Sequence, residues 1–133
     1  MSRTRCVVLA LLAVVGMVGC RGDTTATLTP GVITAFVHTP NVDDGALLVS
    51  IEGPGLINVR PFTTAYQVYW RQASATELRA IIIGNIVDGS LFTAEMPVGA
   101  AAGDYRATVL QVATRADADR PATGYTVEIV VLH

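Results

Sequence analysis

This chain has no lysine, two cysteines, two histidines and little charge, and each shortage closes a door. Without lysine, the Lys–Asn isopeptide cross-links of some bacterial surface sandwiches cannot form. Nine arginines face eleven carboxylates, for a formal charge of −2, so no concentrated basic patch is available for nucleic acid. The longest apolar run, residues 6–18, is thirteen residues long. A membrane-spanning helix needs about 20. The histidines are His38, which ends a predicted strand beside Pro40, and the terminal His133. A nucleophile needs a base within hydrogen-bond reach, and none of Ser50, Ser74 and Ser90 sits in a G-x-S-x-G elbow. No catalytic residue, metal ligand or cofactor is assigned, and the chain is not expected to be an enzyme.

What is present begins at the N-terminus. Arg3 and Arg5 precede the apolar run, which ends in small residues, as in a secretory signal. Met17-Val18-Gly19-Cys20 resembles the bacterial lipobox, with Met17 in place of the commoner Leu, Val or Ile. The resemblance implies cleavage before Cys20, a diacylglycerol thioether on its sulfur, and usually a third acyl chain on its new amino group. An ordinary signal peptide with an incidental cysteine, or an uncleaved helix, are the alternatives. Cys6 falls in the removed part, so Cys20 is the only mature cysteine and no disulfide forms. Acylation also removes a thiol that would otherwise invite intermolecular disulfides. Two or three acyl chains anchor stably, where one binds marginally.

The chain therefore divides into a signal peptide over 1–19, a lipidated Cys20 and tether over 20–31, and a domain over 32–133. The mature part has seven arginines against eleven carboxylates, a formal charge of −4, so lipid alone must hold it to the membrane. The tether is rich in threonine and ends in Pro30-Gly31. As a flexible coil, its roughly ten residues reach about 18 Å. Arg21-Gly22-Asp23 matches the integrin tripeptide, a match short enough to arise by chance beside the lipid. By the same resemblance, Arg21 rather than Asp after the cysteine implies passage to the outer membrane in didermal bacteria. The protein is expected to be exported and anchored to the cell membrane or outer membrane.

Beyond the tether the hydrophobic period is two. Strands are predicted at 32–38, 46–52, 56–60, 65–70, 78–83, 91–96, 105–112 and 125–132, with turn residues such as Gly53-Pro54-Gly55 and Asp88-Gly89 between them. Residues 72–79 are read as one helical turn. Seven or eight short strands with turn signals every 8–12 residues or so favour an all-β, two-sheet sandwich. Ile81, Ile82 and Ile83 must alternate faces on a strand. Ile82 is expected in the core with Leu78 and Ala80. Ile81 and Ile83 are expected under a loop from 53–64, or else as an exposed apolar patch.

Residues 88–109 open with Gly89-Ser90-Leu91, pass through Val98 and an Ala/Gly-rich loop, and reach Gly103-Asp104-Tyr105. This stretch is similar to the late strands of cohesin-like modules, and Gly45-Ala46-Leu47-Leu48-Val49-Ser50-Ile51 to their early core strand. Glu52-Gly53-Pro54 stands where the family has Tyr-Asp-Pro. The resemblance implies a cohesin-like or immunoglobulin-like jelly roll and specifies no partner.

Asp43-Asp44 and Asp117-x-Asp119 are the acidic clusters; neither follows the EF-hand spacing, and both read as solvated turns. Glu52, Glu95 and Glu128 fall on predicted strands, and a glycosidase would need two carboxylates across a cleft. Tyr66, Tyr69 and Trp70 form the aromatic cluster. Alternation puts Tyr66 and Trp70 on one face and Tyr69 on the other; one side is expected to fill the core, with Trp70 favoured there and a surface position its alternative, and the other to offer a sugar or peptide platform. The expected function is a lipoprotein sandwich that binds or scaffolds protein or carbohydrate in the cell envelope. The candidate binding surface is Tyr69, Trp70, Ile81 and Ile83. A periplasmic enzyme or calcium-binding accessory, and a purely structural envelope component, are the alternatives.

Overall fold

Alternating side chains commit the chain to antiparallel pairing, and the computed structural model, which describes residues 29–132, contains nine strands. The signal segment, Cys20 and residues 21–28 lie outside the described residues, as does His133. The strands are β1 Val32–His38, β2 Asp44–Glu52, β3 Ile57–Pro61, β4 Gln67–Ser74, β5 Glu77–Ile86, β6 Gly89–Glu95, β7 Arg106–Thr114, β8 Asp119–Arg120 and β9 Thr126–Leu132, with one 3₁₀ turn at Ala102–Asp104. They form a four-stranded sheet in the order β3-β6-β1-β9 and a five-stranded sheet in the order β4-β5-β2-β7-β8. Every pairing is antiparallel. The fold is a two-sheet sandwich, as the period of two predicts.

The core lies between the sheets. β1 contributes Ile33, Ala35 and Val37, β2 contributes Leu47, Val49 and Ile51, and β5 contributes Leu78, Ala80 and Ile82, all buried. Ile82 is thus where alternation predicts it, and Ile81 and Ile83 remain exposed, the second of the two expected outcomes. A bulge between Ala35 and Phe36 shifts the β1–β6 register and lets both Leu91 and Phe92 reach the interior.

Two glycines admit tyrosine rings. At Gly53 (φ +149°) an added Cβ would lie 2.5 Å from the Tyr105 ring; at Gly84 (φ +154°) it would lie 2.8 Å from the Tyr66 ring. Burial, then the nearby Asp104 charge, pushes the Tyr105 hydroxyl above its ordinary pKa.

Two local expectations fail, and one short strand has no counterpart among the predicted strands. Residues 72–79 form no helical turn: β4 runs through Ser74, turns at Ala75-Thr76 and returns as β5. Arg71, Gln72, Glu77 and Arg79 gave that hairpin no apolar alternation to read. The strand predicted at 65–70 starts later, at Gln67, and leaves Tyr66 in the preceding turn, buried against Gly84. β8 was not anticipated, being two polar residues paired to Val112 and Ala113.

The strands run between two ends. β1 begins at the near end, where the chain enters through Gly31, and 53–56, 75–76 and 96–105 connect strands there. The far end holds 39–43, 62–66, 87–88, 115–118 and 121–125.

Candidate functional site

Leu47, Val49 and Ile51 point into the core, so Leu48 and Ser50 must point out of the five-stranded sheet. Strand register then assembles three rows on that outer face. The first is Tyr69, Ile81, Leu48 and Gln111, from β4, β5, β2 and β7. Beside it run Gln67, Ile83, Ala46 and Ala113. On the other side run Arg71, Arg79, Ser50 and Thr108. Tyr69 is 60% exposed, Ile81 43% and Ile83 42%. Leu48, Tyr69, Ile81, Arg71, Arg79 and Trp70 border a shallow groove of about 360 Å³, and a second hollow continues from Leu48 and Ile81 to Ala46, Gln111 and Ala113.

The cationic row is unevenly compensated. Arg79 Nε donates to Glu77 Oε1 at 2.7 Å, and Ser50 Oγ donates to the same oxygen at 2.9 Å. Those two bonds, Arg79 first, hold the Glu77 carboxyl below its ordinary pKa. Arg71, directly opposite Arg79, makes no ion pair among the described residues. One guanidinium is therefore left free beside an apolar strip, on a domain whose overall charge is negative.

The sequence-based site is divided by this geometry. Tyr69, Ile81 and Ile83 come together on the outer face. Trp70 does not join their row: it sits opposite Ala80 on the core-facing side of β4. It is nevertheless 42% exposed, which corrects the expectation that it fills the core. The reason is strand order. β4 is an edge strand, and its inward side chains overhang the rim of the sandwich. Cys20 lies outside the described residues. Leu48, Arg71 and Arg79 were not singled out from sequence. For Leu48 the signal was there, because a strand that buries Leu47 and Val49 must expose what lies between them.

The first acidic cluster is not the solvated turn that sequence suggests, whereas the second, Asp117 and Asp119, is exposed at and beside the 115–118 turn as expected. Asp44 is fully buried. Its Oδ1 accepts from Arg120 Nη1 at 2.8 Å and from the Tyr125 hydroxyl at 2.8 Å, and its Oδ2 accepts from Thr39 Oγ1. Arg120 also grips Asp43 in a fork, Nη1 to Oδ1 at 2.8 Å and Nη2 to Oδ2 at 3.0 Å. That fork holds the Asp43 carboxyl below its ordinary pKa. Asn41 Nδ2 completes the clasp by donating to the Tyr125 hydroxyl at 2.7 Å. A buried carboxylate is tolerated only when its lone pairs are taken, and here they are. In the other cluster, Asp117 turns the chain and Asp119 accepts from Gln111 Nε2 at 3.1 Å. Among the described residues no group of three or more His, Cys, Asp or Glu is placed to hold a metal.

The remaining polar candidates are dispersed. His38 lies between Asp88 and Glu128, at 3.9 and 3.8 Å, with its ring 5.0 Å from Phe36. Glu52 is on the five-stranded sheet opposite Glu77, whereas Glu95 on the other sheet accepts from Asn58 Nδ2 at 2.9 Å. Glu128 pairs across from Phe36, so the three glutamates do not face one cleft. The chain matches no protein-family model, no curated protein and no solved structure, and the outer face of the five-stranded sheet is read from its own chemistry.

Proposed function

We propose that this protein is a membrane-anchored extracytoplasmic lipoprotein whose non-catalytic sandwich binds a partner protein on the outer face of the five-stranded sheet. The observation that carries the reading is the apolar strip of Tyr69, Ile81, Ile83 and Leu48 with Arg71 along its border. Contiguous exposed apolar surface of this kind marks interaction sites on soluble domains. The strip is mainly aliphatic, with Tyr69 its one aromatic ring, which suits a protein segment better than a sugar. Arg71 favours a partner that sets a carboxylate beside its apolar anchor, because guanidinium and carboxylate match in charge and fork geometry. The finer fold reading is a cohesin-like or immunoglobulin-like jelly roll, supported by the Asp88 to Val109 pattern. Anchoring rests on the lipobox at Cys20.

The test is capture from detergent-solubilised envelope with the lipidated protein as bait, run beside Tyr69→Ala and Ile81→Ser. A side chain central to an interface contributes about 2 kcal/mol or more, near thirtyfold in affinity. Both variants should lose the captured protein while their unfolding free energies stay within about 0.5 kcal/mol of the parent, as surface changes do. Undiminished capture by both variants sinks the assignment of this face. For the anchor, Cys20→Ser should move the protein to the aqueous fraction or leave it unprocessed; unchanged partition and mass would remove it.

A further inference from the structure

The two ends of the sandwich differ in the charge of their connections. At the near end, 29–31, 53–56, 75–76 and 96–105 together contain one charged residue, Asp104. Asp104 Oδ2 is itself occupied, accepting from the Ala101 backbone N–H at 2.8 Å. The far-end connections carry Asp43, Asp88, Arg115 and Asp117. The longest near-end connection begins beside the point of entry: the Met96 N–H donates to the Gly31 carbonyl at 2.8 Å. It then turns at Pro97 to Ala100, with Ala100 N–H donating to Pro97 at 3.1 Å and Gly99 at φ +87°. Val98 occupies the corner of that turn and stands half-exposed. Half-exposed Ile57 and Leu132 lie in the same near-end row of the four-stranded sheet, in the order Ile57, Glu95, Val32, Leu132.

We infer that this near end is a membrane-contact surface, with Val98, Leu132 and Ile57 resting in the interfacial layer of the bilayer that carries the protein. The inference rests on the lipid-anchor reading of Cys20. Gly31 lies eleven residues after Cys20. That length spans at most about 38 Å fully extended, and about 18 Å as a coil. Strands of this length put the far end roughly 25–30 Å beyond the near end. The anchor therefore keeps the near end within reach of the headgroups. The contact rests on these apolar side chains: Glu95 stands in their row, occupied by Asn58 Nδ2, Glu52 and Glu77 flank the end, and Arg79 and Arg106 are the nearby cations. Attraction to anionic headgroups contributes nothing, so the contact is insensitive to salt. A domain seated on this end leaves the Tyr69–Ile81 strip, which runs along its side, open to a partner.

The test separates contact from anchoring. The chain from Cys20 onward, with Trp70→Phe to remove the native indole, is coupled through the Cys20 thiol to a maleimide lipid in phosphatidylcholine vesicles. One indole is then introduced as Val98→Trp, Leu132→Trp or, at the far end, Val42→Trp. Lipids with brominated acyl chains should quench Val98→Trp and Leu132→Trp severalfold more than Val42→Trp, in low and high salt alike. Equal quenching at both ends, no quenching at either, or quenching abolished by salt overturns the inference. A blue shift of Val98→Trp without quenching also overturns it, by showing contact with another copy of the chain. Because the coupling supplies an anchor of its own, failure here is distinct from failure of lipidation. Lipidation is read separately, from the mass of the N-terminal peptide made in a bacterial host.

Discussion

The near and far ends of the sandwich solve the same problem with opposite chemistry. Each must close strands of two sheets over one core. The far end does it with a buried carboxylate: Asp44, Arg120, Tyr125, Thr39 and Asn41 tie β2, β8 and the start of β9 into one hydrogen-bonded clasp. The near end does it with shape, the ring of Tyr105 lying where a side chain at Gly53 would be. An acidic pair beside a turn is therefore not automatically a solvated one. What matters is whether a distant segment brings a cation, and Arg120 is 76 residues from Asp44.

Cutting the clasp should cost the most stability. Asp44→Ala leaves Arg120, Thr39 and Tyr125 facing a cavity, and losing one partner of a buried ion pair costs roughly 3–5 kcal/mol. Urea unfolding reads the loss. If Asp104→Ala at the near end costs as much, the two ends are not different in kind.

Next in size is the near end's own test. Gly53→Ala forces a Cβ to within 2.5 Å of the Tyr105 ring and 2.7 Å of the Asp104 carbonyl, at a φ that side chains rarely adopt. Strain and overpacking together should cost about 1–3 kcal/mol. Gly99→Ala, with the same need for positive φ but open space around it, should cost less. Equal midpoints for the two variants would show that the tyrosine packing is dispensable.

Acid stability should change least, with one contributing carboxyl at each end. Asp43 and Glu77 have ordinary values of 3.8 and 4.5 and are both held lower in the folded chain, by Arg120 and Arg79 respectively. The unfolded chain therefore binds protons that the folded chain refuses. The stability they contribute is complete above about pH 4.5 and is lost as pH falls through their folded values. Thermal midpoints measured from pH 6 down to pH 2 should drop more gently in Arg120→Met and in Arg79→Met than in the parent. A slope unchanged by either substitution would show that these pairs do not govern the acid limb.

Much of the architecture was readable because its signal is local. Residues 32–38 alternate and are β1 residue for residue, and the isoleucine triplet at 81–83 sorts into one buried and two exposed side chains as a strand demands. What could not be read depends on strand order or on distant partners. Trp70 has the pattern of a core residue, but β4 is an edge, and no feature within four residues of Trp70 says so. β8 is two residues held by β7 rather than by any propensity of its own. The binding face was half legible. Tyr69, Ile81 and Ile83 were visible as outward residues. That Leu48 lies beside them and Arg71 along their border follows only from the register of β4, β5 and β2.

β1 has a further consequence. It lies inside the four-stranded sheet, bonded on one side to β6 and on the other to β9, so that Val32 faces Leu132 across a hundred residues of chain. The first strand to emerge therefore waits until residue 89 for one neighbour and until residue 126 for the other. A chain that emerges from its N-terminus cannot complete this sheet early, since β1 stays an open edge until the last strand arrives. Contacts this remote in sequence also form slowly. Delayed closure is a hazard for a protein that must fold in the cytosol. Under the proposed export, the same delay would keep the chain threadable.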